Sequence, residues 1–224
     1  MARTVVLLFL TLLCVLSFAH LTHEAWEQEV FPIDRATRAW MQDHQVPALA
    51  RPMHAMSALG SGYALVPLCF AAFALFWMYD RGRAWIILLL PLASVVLEVL
   101  TKWLVHRPRP KGVGYGFPSG HVTVSVVFFG AVIYVLWASG LPRRWRWAAS
   151  AAGGFVIIAI AYSRLYLNAH WLTDIVGGFT GGGASLLLGI GLTRMWPRQE
   201  STAKDSARVS PSSRNGAGGS MRPG

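Results

Sequence analysis

The chain has 224 residues, 54% of them hydrophobic and 13% charged, with a formal charge of +10. Its mean hydropathy of +0.44 is too high for a soluble domain with a polar shell, so the chain belongs in a bilayer. The basic excess is spread over short loops and a tail instead of one soluble face, which excludes nucleic acid as the natural partner and points to orientation in a membrane.

A helix needs about 20 apolar residues to cross roughly 30 Å of hydrocarbon. Six runs approach that length: Val5–Leu21, Met56–Tyr79, Ala84–Thr101, Val122–Ser139, Trp147–Tyr162 and Ile175–Met195. None alternates with the period of two that marks a barrel strand, so the expected fold is all-α, an integral membrane bundle of six transmembrane helices. The first run also resembles a secretory signal, with Arg3 before it and Ser17-Phe18-Ala19 near a cleavage point; we read it as a retained span. Cys14 and Cys69 fall in separate spans and make no disulfide framework.

Between the first and second spans, residues 22–52 mix Trp26, Phe31, Ile33, Trp40 and Met41 with charges, the pattern of a helical segment lying in the membrane interface. We assign it to packing. Residues 1–196 then form one membrane domain, and the tail 197–224, rich in Ser, Gly, Arg and Pro, is expected to be disordered. With a cytoplasmic N-terminus, Arg81 and Arg83, Arg143, Arg144 and Arg146, and Arg194, Arg198 and Lys204 all fall on the inner side of a cell membrane, as positive charges prefer. The loops after the third and fifth spans then both face outward.

Those two loops hold the informative residues. The first reads TKWLVHRPRPKGVGYGFPSGH and the second SRLYLNAHWLTD. Lys102, Arg109 and Arg164 are permanent cations at helix ends or in a loop; snorkelling to lipid headgroups explains any one of them, but three on one face call for an anion. Ser119 is a candidate N-cap, Gly120 lets backbone approach a ligand closely, and a helix N-terminus is a ready anion site. Asn168 is a candidate cap for the last helix. His170 and Asp174 are one turn apart, so the carboxylate can fix the imidazole tautomer and leave the other nitrogen as a nucleophile or base. His121, His170 and Asp174 would also make a tolerable metal set. Three fixed cations repel a divalent metal and complement a tetrahedral oxyanion, which favours phosphate.

Lys102 with Arg109-Pro110 seven residues on, Pro118-Ser119-Gly120-His121, and Ser163-Arg164 followed by His170 and Asp174 resemble the three signature motifs of the type 2 phosphatidic acid phosphatase family. That family shares its phosphate site with vanadium haloperoxidases and glucose-6-phosphatase. The resemblance implies a membrane hydrolase for lipid phosphates, working without metal or other cofactor through a phosphohistidine. It implies His170 as nucleophile, Asp174 as its orienting partner and His121 as the acid that protonates the leaving oxygen. Lys102, Arg109, Arg164, Ser119 and Gly120 would hold the phosphate. The alternative is a non-enzymatic transporter or lipid-phosphate-binding protein: the glycine-rich stretch Gly177–Gly189 is a small-residue surface of the kind that packs membrane helices, and transport would call for broken helices in paired repeats. Undecaprenyl pyrophosphate, phosphatidate and phosphatidylglycerophosphate are the expected substrates, with membrane lipid as the other partner.

Overall fold

The computed structural model describes residues 2–195, and the expected disordered tail lies outside the described residues. Helix α1 spans Ala2–Trp26 and α2 Pro32–Asp43; after a 3-10 turn at Pro47–Leu49 come α3 (Ala50–Leu59), α4 (Gly62–Trp77), α5 (Arg81–Val105), α6 (Gly120–Ala138), α7 (Arg143–Tyr166) and α8 (Leu172–Met195). The described residues are all-α. Helices α1, α5, α6, α7 and α8 are each long and apolar enough to cross a membrane.

The expected second span, Met56–Tyr79, is not one helix. It breaks at Gly60-Ser61, and the run Pro47–Leu59 meets α4 at 50°. Glycine and serine release the backbone there, and Gly60 lies so close to Ile160 of α7 that an added Cβ would stand 2.6 Å from its Cγ2. Counted as one bent span, the pair brings the total to six. The other spans are longer than expected, because charged residues such as Arg81, Arg143 and Arg164 continue helices that hydropathy alone ends early.

The packing that matters most for function joins α6 and α8. A Cβ on Gly178 would stand 2.9 Å from the Val122 Cβ, and one on Gly182 would stand 2.8 Å from the Thr123 carbonyl oxygen. The small residues of α8 therefore let the two backbones meet, which brings the loops that precede them side by side. Leu65, Cys69 and Phe76 of α4 pack with Ala84 and Ile87 of α5 and Phe128 and Val135 of α6 in the main buried cluster. Val5, Leu8, Phe9 and Leu12 of α1 and Val96, Val99, Leu100 and Leu104 of α5 are exposed, as residues facing lipid must be.

Segment 22–52 is more than an interfacial cover. Ile33 and Trp40 of α2 point outward, yet Asp34 on the same helix is buried, 1% exposed, and reaches the loop residues described next.

Candidate active site

Lys102 lies in the last turn of α5, which His106 closes in the left-handed region at φ 53° with its N–H on the Lys102 carbonyl. The chain then folds back through Gly112 and Gly114, both at positive φ, so that Pro108 pairs with Tyr115 and the Arg109 Nε donates to the Tyr115 carbonyl at 3.0 Å. It re-enters the bundle at Ser119, the N-cap position of α6, followed by Gly120 and His121. On the other side, Arg164 sits in the last turn of α7, and His170 comes just before α8, whose first turn carries Asp174. Asn168 does not cap α8: it stands at φ 52° beyond the end of α7, a conformation asparagine tolerates, with its N–H on the Leu165 carbonyl.

The two loops meet directly. The Ser119 N–H donates to the Asp174 carbonyl at 3.0 Å, and the Trp171 indole N–H donates to the Pro108 carbonyl at 3.1 Å. Arg107, 1% exposed, forms the central link. Its Nη1 donates to Asp174 Oδ1 at 2.9 Å and to the Thr173 hydroxyl at 2.7 Å, while its Nη2 donates to Asp34 Oδ2 at 2.9 Å and to the Glu29 carbonyl at 2.5 Å. Asp34 in turn caps the start of α8, accepting from the Thr173 N–H at 2.8 Å and the Thr173 hydroxyl at 2.7 Å. Buried carboxylates are tolerated here because each is paired and hydrogen-bonded.

Asp174 Oδ2 faces His170, 3.3 Å from Nδ1, and also accepts the Trp171 N–H at 3.0 Å. A carboxylate bound to a guanidinium only accepts, so Nδ1 carries the imidazole proton and Nε2 keeps its lone pair. His170 is 3% exposed. Burial holds its pKa below the ordinary histidine range, to about 4; the positive field of Arg164 and Arg109 lowers it further, while hydrogen bonding and charge from Asp174 oppose both. At neutral pH the ring is therefore uncharged and directed.

At the same end of the bundle, buried polar groups lack partners. The Ser119 hydroxyl is buried and has no hydrogen-bond partner; its side chain does not cap α6 although the residue holds the N-cap position. The Arg164 Nη1 donates to the Ser57 hydroxyl of α3, but its Nε is buried without a partner. His121, beside Gly60 on the first turn of α6, lies in the electrostatic field of Arg164, His170, Lys102 and Arg109. Lys102, expected as a permanent cation for phosphate, has its ammonium paired with the Glu98 carboxylate one turn earlier on α5. The structure thus brings Arg109, Ser119, Gly120, His121, Arg164, His170 and Asp174 to one end of the bundle, with Lys102 arriving neutralised.

Residues 111–198 match the family model of the PAP2 superfamily. That match takes in less than half of the chain and marks a likeness to the superfamily. It is 27% identical over 146 residues to the phosphatidylglycerophosphatase B of Bacillus subtilis, covering 61% of this chain and 71% of that one. It is also 27% identical over 150 residues to the undecaprenyl-diphosphatase of Sulfolobus acidocaldarius, covering 61% and 66%. The crystal structure of a transmembrane PAP2 type phosphatidylglycerolphosphate phosphatase from Bacillus subtilis superposes with a TM-score of 0.74 at 23% identity, over 84% of this chain and 98% of that one. Aquifex aeolicus LpxE gives 0.57 at 20% identity, over 75% and 98%. The two structural likenesses establish the fold of this chain: the helical membrane bundle.

Sequence reasoning missed Arg107, Asp34, Thr173, Ser57 and Glu98. Arg107 stands inside the RPRP run beside Arg109, and nothing in the spacing says which arginine turns inward. Asp34 and Ser57 act through tertiary contacts that carry no local signature. Glu98 did carry one, an acid inside an apolar span four residues before Lys102.

Proposed function

We propose that this chain is a PAP2-type, multi-pass membrane phosphatase that removes phosphate from a lipid phosphomonoester or diphosphate by way of a phosphohistidine on His170. The observation that carries the reading is the His170–Asp174 pair, buried and locked by Arg107, with partnerless donors on Ser119 and Arg164 at the same end of the bundle. His170 Nε2 attacks phosphorus while the bond to the lipid oxygen breaks, and His121 gives that oxygen its proton. Water then attacks the phosphohistidine, His121 takes the proton it sheds, and free phosphate and the resting imidazole are restored. Arg109, Arg164, Ser119 and the start of α6 stabilise the equatorial oxygens, the main source of acceleration in phosphoryl transfer. The cationic groups offer this stabilisation without a metal ion.

The named activities of the two relatives concern a glycerophospholipid and a polyprenol, which share a phosphoryl group and long apolar tails. That supports a lipid phosphate as substrate, with undecaprenyl pyrophosphate, phosphatidate and phosphatidylglycerophosphate as the leading candidates. The basic residues Arg81, Arg83, Arg143, Arg144, Arg146 and Arg194 lie at helix ends opposite the site, supporting cytoplasmic termini and a site on the periplasmic or outer face of the cell membrane. The test is phosphate release from these lipids by the purified chain in detergent, with chelator and no added metal. Release that His170→Ala abolishes is expected; equal release by that variant, or none by wild type from any lipid, refutes the reading.

A further inference from the structure

The proposed phosphate cradle is partly filled by an anion of the chain itself. The Glu98 carboxylate accepts from the Lys102 ammonium, the two side chains being 14% and 18% exposed. It also lies against the first residue of α6: a Cβ added to Gly120 would collide with the carboxyl carbon and both oxygens of Glu98. One carboxylate therefore covers a lysine and a helix N-terminus, both positive; the sequence motifs imply the lysine as a phosphate ligand, and the helix start is assigned above to the phosphoryl oxygens. A phosphoryl dianion and this carboxylate cannot share those groups without strong repulsion at such short range.

We propose that Glu98 is an internal competitor for phosphate, holding Lys102 and the mouth of α6 when no phosphoryl group is bound, yielding them to the lipid phosphate, and returning to expel the inorganic product. The proposal rests on the phosphatase reading of this site. The competition weakens lipid phosphate and free phosphate alike at the headgroup, but only the lipid has tails whose burial in the bilayer offsets the loss. Glu98 thus sets specificity against the product. It takes no part in bond making or breaking.

Glu98→Gln removes the charge and keeps the shape and a hydrogen bond to Lys102; Glu98→Ala is the second variant. The probe is inorganic phosphate, titrated calorimetrically into the purified full chain in detergent, and the same phosphate is used as inhibitor of turnover of a long-chain phosphatidate. Both variants should bind phosphate at least about tenfold more tightly than wild type, with the inhibition constant falling in parallel. The gain should disappear when Lys102→Gln is added, because the lysine is what the two anions contest. Phosphate binding that is equal or weaker in both variants overturns the role of Glu98 and leaves the phosphatase reading standing. Failure of wild type and both variants to bind phosphate or release it from lipid removes the cradle itself, and this proposal with it.

Discussion

The two sides of His170 are built on opposite terms. Behind Nδ1, Asp174, Arg107, Asp34 and Thr173 are joined by hydrogen bonds of 2.7–2.9 Å drawn from three separate segments of chain, with the Arg107 Nε alone of that group left without a partner. At the ends of the neighbouring helices, the Ser119 hydroxyl and the Arg164 Nε are also buried without partners. A buried polar group without a partner costs about 1–3 kcal/mol, and in the proposed reading a ligand that brings its own acceptors would relieve that cost at Ser119 and Arg164. In the proposed mechanism the contrast separates rigidity from reception: one side would fix where the His170 imidazole points, and the other would stabilise the group it attacks.

Breaking the junction between the sides should have the largest effect. His170→Ala should lower kcat by more than about 10⁴-fold with the fold retained, measured as phosphate release and by thermal unfolding. On the receptive side, Arg164→Gln should lower kcat/KM by about 10²–10³-fold, the usual consequence of losing one preorganised donor. It should also move the acid limb of the kcat/KM profile upward. If the neutral His170 imidazole is the reactive form, as proposed, wild type should hold its rate from neutral pH down toward 5 and lose it as pH passes about 4. Removing the Arg164 charge takes away one influence that lowers the His170 pKa, and the limb should move toward the ordinary histidine value of roughly 6.5.

On the rigid side the expected losses are smaller in rate and larger in stability. Asp34→Asn should reduce kcat about 10–100-fold, the range for partners that orient a reacting group without touching substrate. Arg107→Gln leaves two buried carboxylates without their cation and should destabilise the fold by about 3–5 kcal/mol, read as a lower unfolding temperature. The smallest effect should come from Gly178→Ala. Its methyl meets Val122 and the Ser119 carbonyl, and overpacking of this kind typically destabilises by about 1–3 kcal/mol. If Asp34→Asn proved as damaging to rate as Arg164→Gln, the division between the two sides would lose its meaning.

The same division explains what could be read from the sequence. Long apolar runs announce membrane helices because hydrocarbon thickness sets their length, and the receptive groups are legible because phosphate chemistry demands cations, a helix start and a directed imidazole in order along the chain. The rigid side is nearly silent. Asp34 reads like any acid on an amphipathic segment, and only folding brings it 139 residues along the chain to Thr173. The bend between α3 and α4 lay in plain view as Gly60-Ser61-Gly62, but an average over hydropathy does not register a hinge. Glu98 was visible too, as a charge in an apolar span. Reading Lys102 as a phosphate ligand left its neighbour one turn away out of account.

The most direct test of the central claim is to quench turnover of a lipid bearing labelled phosphate within milliseconds and map the protein-bound label. The account predicts a base-stable, acid-labile phosphohistidine on His170 of the wild-type chain and none in His170→Ala. Label on any other residue, or turnover by His170→Ala at the wild-type rate, would contradict it.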